Sequence, residues 1–128
     1  CSSATRKVCA PNADEHRVAY HASAAIAANH LVALLGQAER VAGGAGVPTE
    51  AIMSLAEGAL AGAARVGTAE ALTGPVARGD WPTVAAHLAA LAPDERPAYE
   101  ALARQALRLA WPTIRAATDE GSAPPWRS

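Results

Sequence analysis

Tyr20, His21, Ser23, Asn29 and His30 are the polar residues of this sequence set in the most apolar surroundings. They interrupt the stretch from Val18 to Ala38, which has no formally charged side chain and no proline. Polar groups buried in such a stretch must find partners or line a cavity. A neutral imidazole at His21, with Ser23 two residues on and Asn29 beyond it, can donate to a substrate oxygen or exchange a proton with it. The plainer alternative is that His21 and Asn29 satisfy nearby backbone groups or meet a symmetry mate. A second polar set lies in Thr73-Gly74-Pro75-Val76-Ala77-Arg78-Gly79-Asp80. Two glycines and a proline fix a tight path there, while Thr73, Arg78 and Asp80 supply a donor, a fixed positive charge and a helix cap.

Other chemistries lack their residues. Gly43-Gly44-Ala45-Gly46 follows a helical pattern and reads as a stop, not as a phosphate cradle after a strand. There is no Walker loop, no HExxH and no Glu-x-x-His pair. His16, His21 and His30 are five and nine residues apart, so no pair has the three- or four-residue spacing that aligns two ligands on one helix face. No metal site is expected. No Ser sits in a nucleophile elbow.

The elements that hold these residues read as helices throughout. Asp14 and Glu15 favour the start of a long helix that runs to about Val41, where the glycine cluster ends it. Its middle is apolar around nearly the whole circumference, so we expect it to be surrounded by protein as the central helix of the fold. A second helix opens at Pro48-Thr49-Glu50 and closes at Gly67, with Gly58 and Gly62 one turn apart where another helix could cross closely. Thr68 caps a short turn, Asp80 caps a helix from Trp81 to about Leu91, and Asp94 opens the last long helix. Pro112 breaks or kinks that helix, with a continuation to Ala117. The expected architecture is all-α: five or six helices around one long central helix. We divide the chain into an arm (1–13), a helical domain (14–117) and a polar, Pro-rich tail (118–128).

Composition narrows the partners. Eleven basic and twelve acidic residues give a net charge of −1, spread without runs, which does not suit nucleic acid or an anionic membrane. The apolar half is mostly alanine, and there is no Phe, which favours close helix approach and burial against a second copy. Val18–Ala38 has about the length of a membrane span, but Ala composition and His21, Asn29 and His30 oppose insertion, so we read a soluble core helix. Cys1 and Cys9 read as reduced thiols in the arm. The chain opens CSSATRKVC with neither a starting Met nor an apolar signal segment, and reads as a cytoplasmic piece of a longer protein or a processed product.

Tyr20-His21-Ala22 leading into Ala28-Asn29-His30-Leu31-Val32-Ala33-Leu34, followed by Ala71-Leu72-Thr73-Gly74-Pro75-Val76-Ala77-Arg78-Gly79-Asp80 and Val84-Ala85-Ala86-His87-Leu88, resembles a known domain. It is the C-terminal helical domain of bacterial Rossmann-like oxidoreductases related to pyrroline-5-carboxylate reductase, ketopantoate reductase and the 6-phosphogluconate dehydrogenase superfamily. The resemblance implies a 6-phosphogluconate dehydrogenase C-terminal-domain-like fold that dimerises and closes one wall of a substrate cleft. It also implies NADP held by an N-terminal Rossmann domain upstream of Cys1, with no cofactor-binding residue in this chain. Together with their polarity in an apolar context, it points to His21, Ser23 and Asn29 as catalytic and to Tyr20, His30, Thr73, Gly74 and Arg78 as contacts to a small-molecule substrate. Hydroxyacid dehydrogenases of that superfamily carry a Lys three residues before the helix Asn; here Ile26 stands there, so lysine-assisted alcohol oxidation is not implied. Two further readings are a free-standing helical homodimerisation module and a small-molecule-binding bundle.

Overall fold

The computed structural model describes residues 13–117 and 124–126. The expected arm, with Cys1 and Cys9, lies outside them. Among the described residues the fold is all-helical, with no strand. The long N-terminal helix runs from Ala13 to Gly44. It comprises α1 (Ala13–Ala24), a π-helical turn (Ala25–His30) and α2 (Leu31–Gly44). After it come α3 (Thr49–Val66), α4 (Thr68–Ala71), α5 (Pro75–Arg78), α6 (Trp81–Ala90), a 3₁₀ turn (Pro93–Glu95) and α7 (Arg96–Ala117).

Local chemistry accounts for the boundaries. The amide of Val47 donates to the carbonyl of Ala42 at 2.9 Å, closing α2 so that α3 returns along it. α4 then folds onto α3, and the Cβ of Ala71 stands 3.7 Å from where a Cβ on Gly62 would be. Gly62 therefore marks the expected close crossing, whereas Gly58 faces open space. Gly79 ends α5 in the left-handed conformation (φ 66°). The Asp80 amide then reaches back to the Pro75 carbonyl at 2.8 Å. The Asp80 carboxylate accepts from the Thr83 amide at 3.3 Å and the Thr83 hydroxyl at 2.7 Å, which makes it the N-cap of α6. α7 carries Pro112 within it and continues to Ala117.

The core sits where α5, α6 and α7 meet. Val76, Trp81, Val84 and Ala103 form it, and Val84 is fully buried. Leu88, Tyr99, Leu107 and Trp126 pack around them. Trp126 belongs to the stretch read as a polar tail, yet its ring meets Trp81 edge-on, centroids 5.8 Å apart, and Pro124 is buried.

The long helix departs from the expectation. No residue of α1 or of the π-turn is buried, and Ala42 alone is buried on α2. Val18 and Val32 are each 68% exposed and Ile26 59%. The substantial contacts of α1 are with the π-turn that continues it, while α2 packs on α3. An all-round apolar surface does require cover, but the described residues of this chain do not provide it, and the reading of a core helix is corrected accordingly. By length and composition Ala13–Gly44 is also apolar enough to cross a membrane.

Candidate functional site

An apolar trough of about 450 Å³ lies between α2, α3, α6 and α7. Leu34, Val41 and Ile52 line it, with Gln37, His87 and Tyr99 as its polar groups. A second hollow of about 240 Å³ shares Leu34, Gln37 and Tyr99 with it and reaches Thr73. Neither is lined by a charged side chain.

The polar groups are held from several elements. Nδ1 of His87 on α6 lies 2.9 Å from the Tyr99 hydroxyl on α7, and the two rings stand edge to face, 5.9 Å apart at 90°. Burial raises the Tyr99 hydroxyl pKa, so the phenol stays protonated at neutral pH and can donate to Nδ1. In the tautomer that accepts there, the ring proton of His87 is on Nε2. The Gln37 amide donates to the Glu95 carbonyl at 2.9 Å, fixing its side chain. Beside it, Arg40 forms a two-pronged ion pair with Glu95, Nη2 to Oε1 at 2.9 Å and Nε to Oε2 at 3.1 Å. That hydrogen bond holds the Glu95 carboxyl below its ordinary range and raises the Arg40 guanidinium. The pair ties α2 to the turn before α7 and neutralises the nearest charges. Such a trough suits a neutral, mainly apolar molecule with one group able to hydrogen-bond.

The residues singled out from the sequence are spread more widely. Tyr20 (69% exposed), His21, Ser23, Asn29 and His30 all stand exposed on α1 and the π-turn, and none lines either hollow. The Ser23 hydroxyl donates to the Tyr20 carbonyl at 2.7 Å, a bond within its own helix turn. The Tyr20 and His21 rings are 6.0 Å apart. Asn29 and His30 sit in the π-turn, a wide turn that recurs at functional sites in other proteins. Thr73 is the one candidate that reaches the trough region. Gly74 takes φ 94° and ψ −178°, a conformation open to glycine almost alone, which gives it a backbone role. Arg78 is largely exposed, its Nη2 3.8 Å from Asp80 Oδ2. No cluster of possible metal ligands occurs among the described residues.

Gln37, His87 and Tyr99 were not among the expected site residues. Gln37 could have been found as an uncharged polar side chain in an apolar helix, the signal that picked out Asn29. Pairing His87 with Tyr99 needs the crossing of two helices, which no local spacing encodes.

The fold and this trough define, among the described residues, an all-helical domain with an uncharged hollow and a long apolar helix whose N-terminal half is left bare. Residues 3–106 match the family described as a domain of unknown function, DUF2520, and the chain belongs to that family. No curated protein and no solved structure matches the chain.

Proposed function

We propose that this chain is the C-terminal dimerisation and substrate-cleft domain of an NADP-dependent Rossmann-type oxidoreductase of the cytoplasm. The observation that carries self-association is the apolar surface that the long helix leaves exposed among the described residues. The exposed fractions of Val18, Ile26, Leu31, Val32, Leu34 and Val41 amount to about three whole apolar side chains, worth ~5–9 kcal/mol per copy once covered. Twice that sum can exceed the cost of association. Interruption of the helix by His21, Asn29 and His30 favours a protein cover over a bilayer.

The enzyme part of the reading rests on the resemblance carried by the long helix and the Leu72-Thr73-Gly74-Pro75 to Arg78-Gly79-Asp80 turn. The described residues contain no strand and no strand-turn-helix unit, so they do not fit the dinucleotide, which the reading assigns to an upstream domain. Within this chain, His21, Ser23 and Asn29 orient substrate and move a proton, while Tyr20, His30, Thr73, Gly74 and Arg78 bind it. Exposure of the first set leaves those side chains accessible to a substrate held by another domain. The test is the sequence preceding Cys1 in the native protein, with NADPH titration of that protein followed by nicotinamide fluorescence. A strand, Gly-rich turn and helix upstream, with saturable binding, are expected. Their absence overturns the enzyme reading. A free-standing helical homodimer or small-molecule-binding module is the second reading, favoured by the His87–Tyr99 trough, which lies within this chain alone.

A further inference from the structure

We propose that the long helix pairs antiparallel with its copy about a two-fold axis through the π-turn, so that α1 of each chain roofs the trough of the other. This rests on the self-association in the reading above and not on its enzyme part. The composite pocket is then incomplete in a single chain.

Three features of the helix share one centre. The helix runs from Ala13 to Gly44, and the π-turn Ala25–His30 lies at its middle, with 12 residues before it and 14 after. A symmetric pairing over the full length sets Ala13 level with the partner's Gly44, which puts the axis inside the π-turn. The same register sets Ala19 level with the partner's Ala38, so all of the uncharged stretch but Val18 maps onto itself. An axis elsewhere would lay charged flanks over the apolar stretch. Outside it, Arg17 falls level with the partner's Arg40 and one position from the partner's Glu39, and each arginine holds a carboxylate of its own chain, Asp14 at 2.8 Å and Glu95 at 2.9 Å, so the two do not meet as bare like charges. Two-fold pairs of this kind are the commonest closed assembly.

At the crossing the helix offers Ala25, Ala27 and Ala28, small enough for close approach. A shallow crossing of about 20° keeps two long helices in contact along their length. On that register, Tyr20 and Ser23 lie at the levels of the partner's Gln37 and the partner's Leu34. Gln37 and Leu34 are trough residues, beside His87 and Tyr99. Two candidates that line neither hollow in one chain thus reach a hollow in the pair.

Cross-linking decides it. In the full chain with Cys1 and Cys9 replaced by Ser, single cysteines are introduced as Ala28→Cys, Tyr20→Cys or Gln37→Cys, and a flexible bis-maleimide is added after circular dichroism confirms the helix content. Ala28→Cys is expected to link to its own copy. Tyr20→Cys alone and Gln37→Cys alone are expected to link at least tenfold less, because each lies about 25 Å from its copy along the helix. An equal mixture of the two is expected to give the linked heterodimer. Self-linking at all three positions means parallel helices and overturns the proposal. A dimer by sedimentation that links at none of them overturns it too, while leaving self-association standing. A monomer that floats with phosphatidylcholine vesicles overturns both.

Discussion

Removal of Trp126 is the sharpest test of the packing, because the sequence places this residue in a polar tail. The structure sets its ring edge-on against Trp81, with the Arg104 guanidinium 6.0 Å from its centroid. Trp126→Ala loses an aromatic pair, about 0.5–1.5 kcal/mol beyond its area. It also loses a cation–π contact of about 0.5–1 kcal/mol and the burial of a half-covered indole, about 1–1.5 kcal/mol. The expected loss is about 3 kcal/mol, or a fall in Tm of ~10 °C. The assay is urea unfolding followed by far-ultraviolet circular dichroism at fixed protein concentration, since the proposed self-association would make apparent stability concentration-dependent. Arg104→Ala alone costs the smaller cation–π share, and the double variant shows coupling of about 0.5–1 kcal/mol. A Trp126→Ala midpoint within 0.5 kcal/mol of the parent, a threshold set by ordinary surface changes, refutes the packing of the tail on α6 and α7.

Three further outcomes follow from single contacts. Gly74→Ala meets no atom within 4 Å, so its cost of about 1–3 kcal/mol is backbone strain alone, read as a shifted urea midpoint with unchanged slope. Asp80→Ala removes the cap of α6 and lowers Tm by about 4 °C in a thermal melt, while Asp80→Asn retains most of the stability. Glu95 has a folded pKa below its unfolded one, so the stability it adds is present above the unfolded value and is lost as pH falls through the folded value. Unfolding midpoints measured from pH 6 to pH 3 are therefore expected to fall less steeply in Glu95→Gln than in the parent.

Helix positions were legible because their signals are local. The glycine stop after α2, the Pro48-Thr49 start of α3, Gly67, and Asp80 with Thr83 each act within a few residues, and each element begins or ends where they fall. The π-turn left no such mark. Ala25-Ile26-Ala27-Ala28-Asn29-His30 carries no residue that breaks an α-helical pattern, and one extra residue in a turn changes no composition. Trp126 was missed for a related reason: proline and polar neighbours describe a segment's path, whereas one indole opposite Trp81 decides whether that path returns to the core.

The long helix shows where reading by pattern stops. Hydrophobic periodicity reports how much of a helix must be covered, and here it reports nearly all of it. It does not say whether the cover comes from the same chain. α2 meets its cover in α3 and in the Arg40–Glu95 clamp, while α1 meets none among the described residues beyond the turn that continues it. The difference between the halves lies in chain connectivity, because the return of α3 is long enough to reach only the C-terminal half. An 18-residue α3 spans about 27 Å against about 48 Å for the whole helix. The uncovered length is therefore fixed by the position of the Gly43–Gly46 turn and the closure of α3 at Gly67. Lengthening α3 by two turns before Gly67 would cover α1 from within and is expected to weaken self-association, which sedimentation at graded concentrations would register.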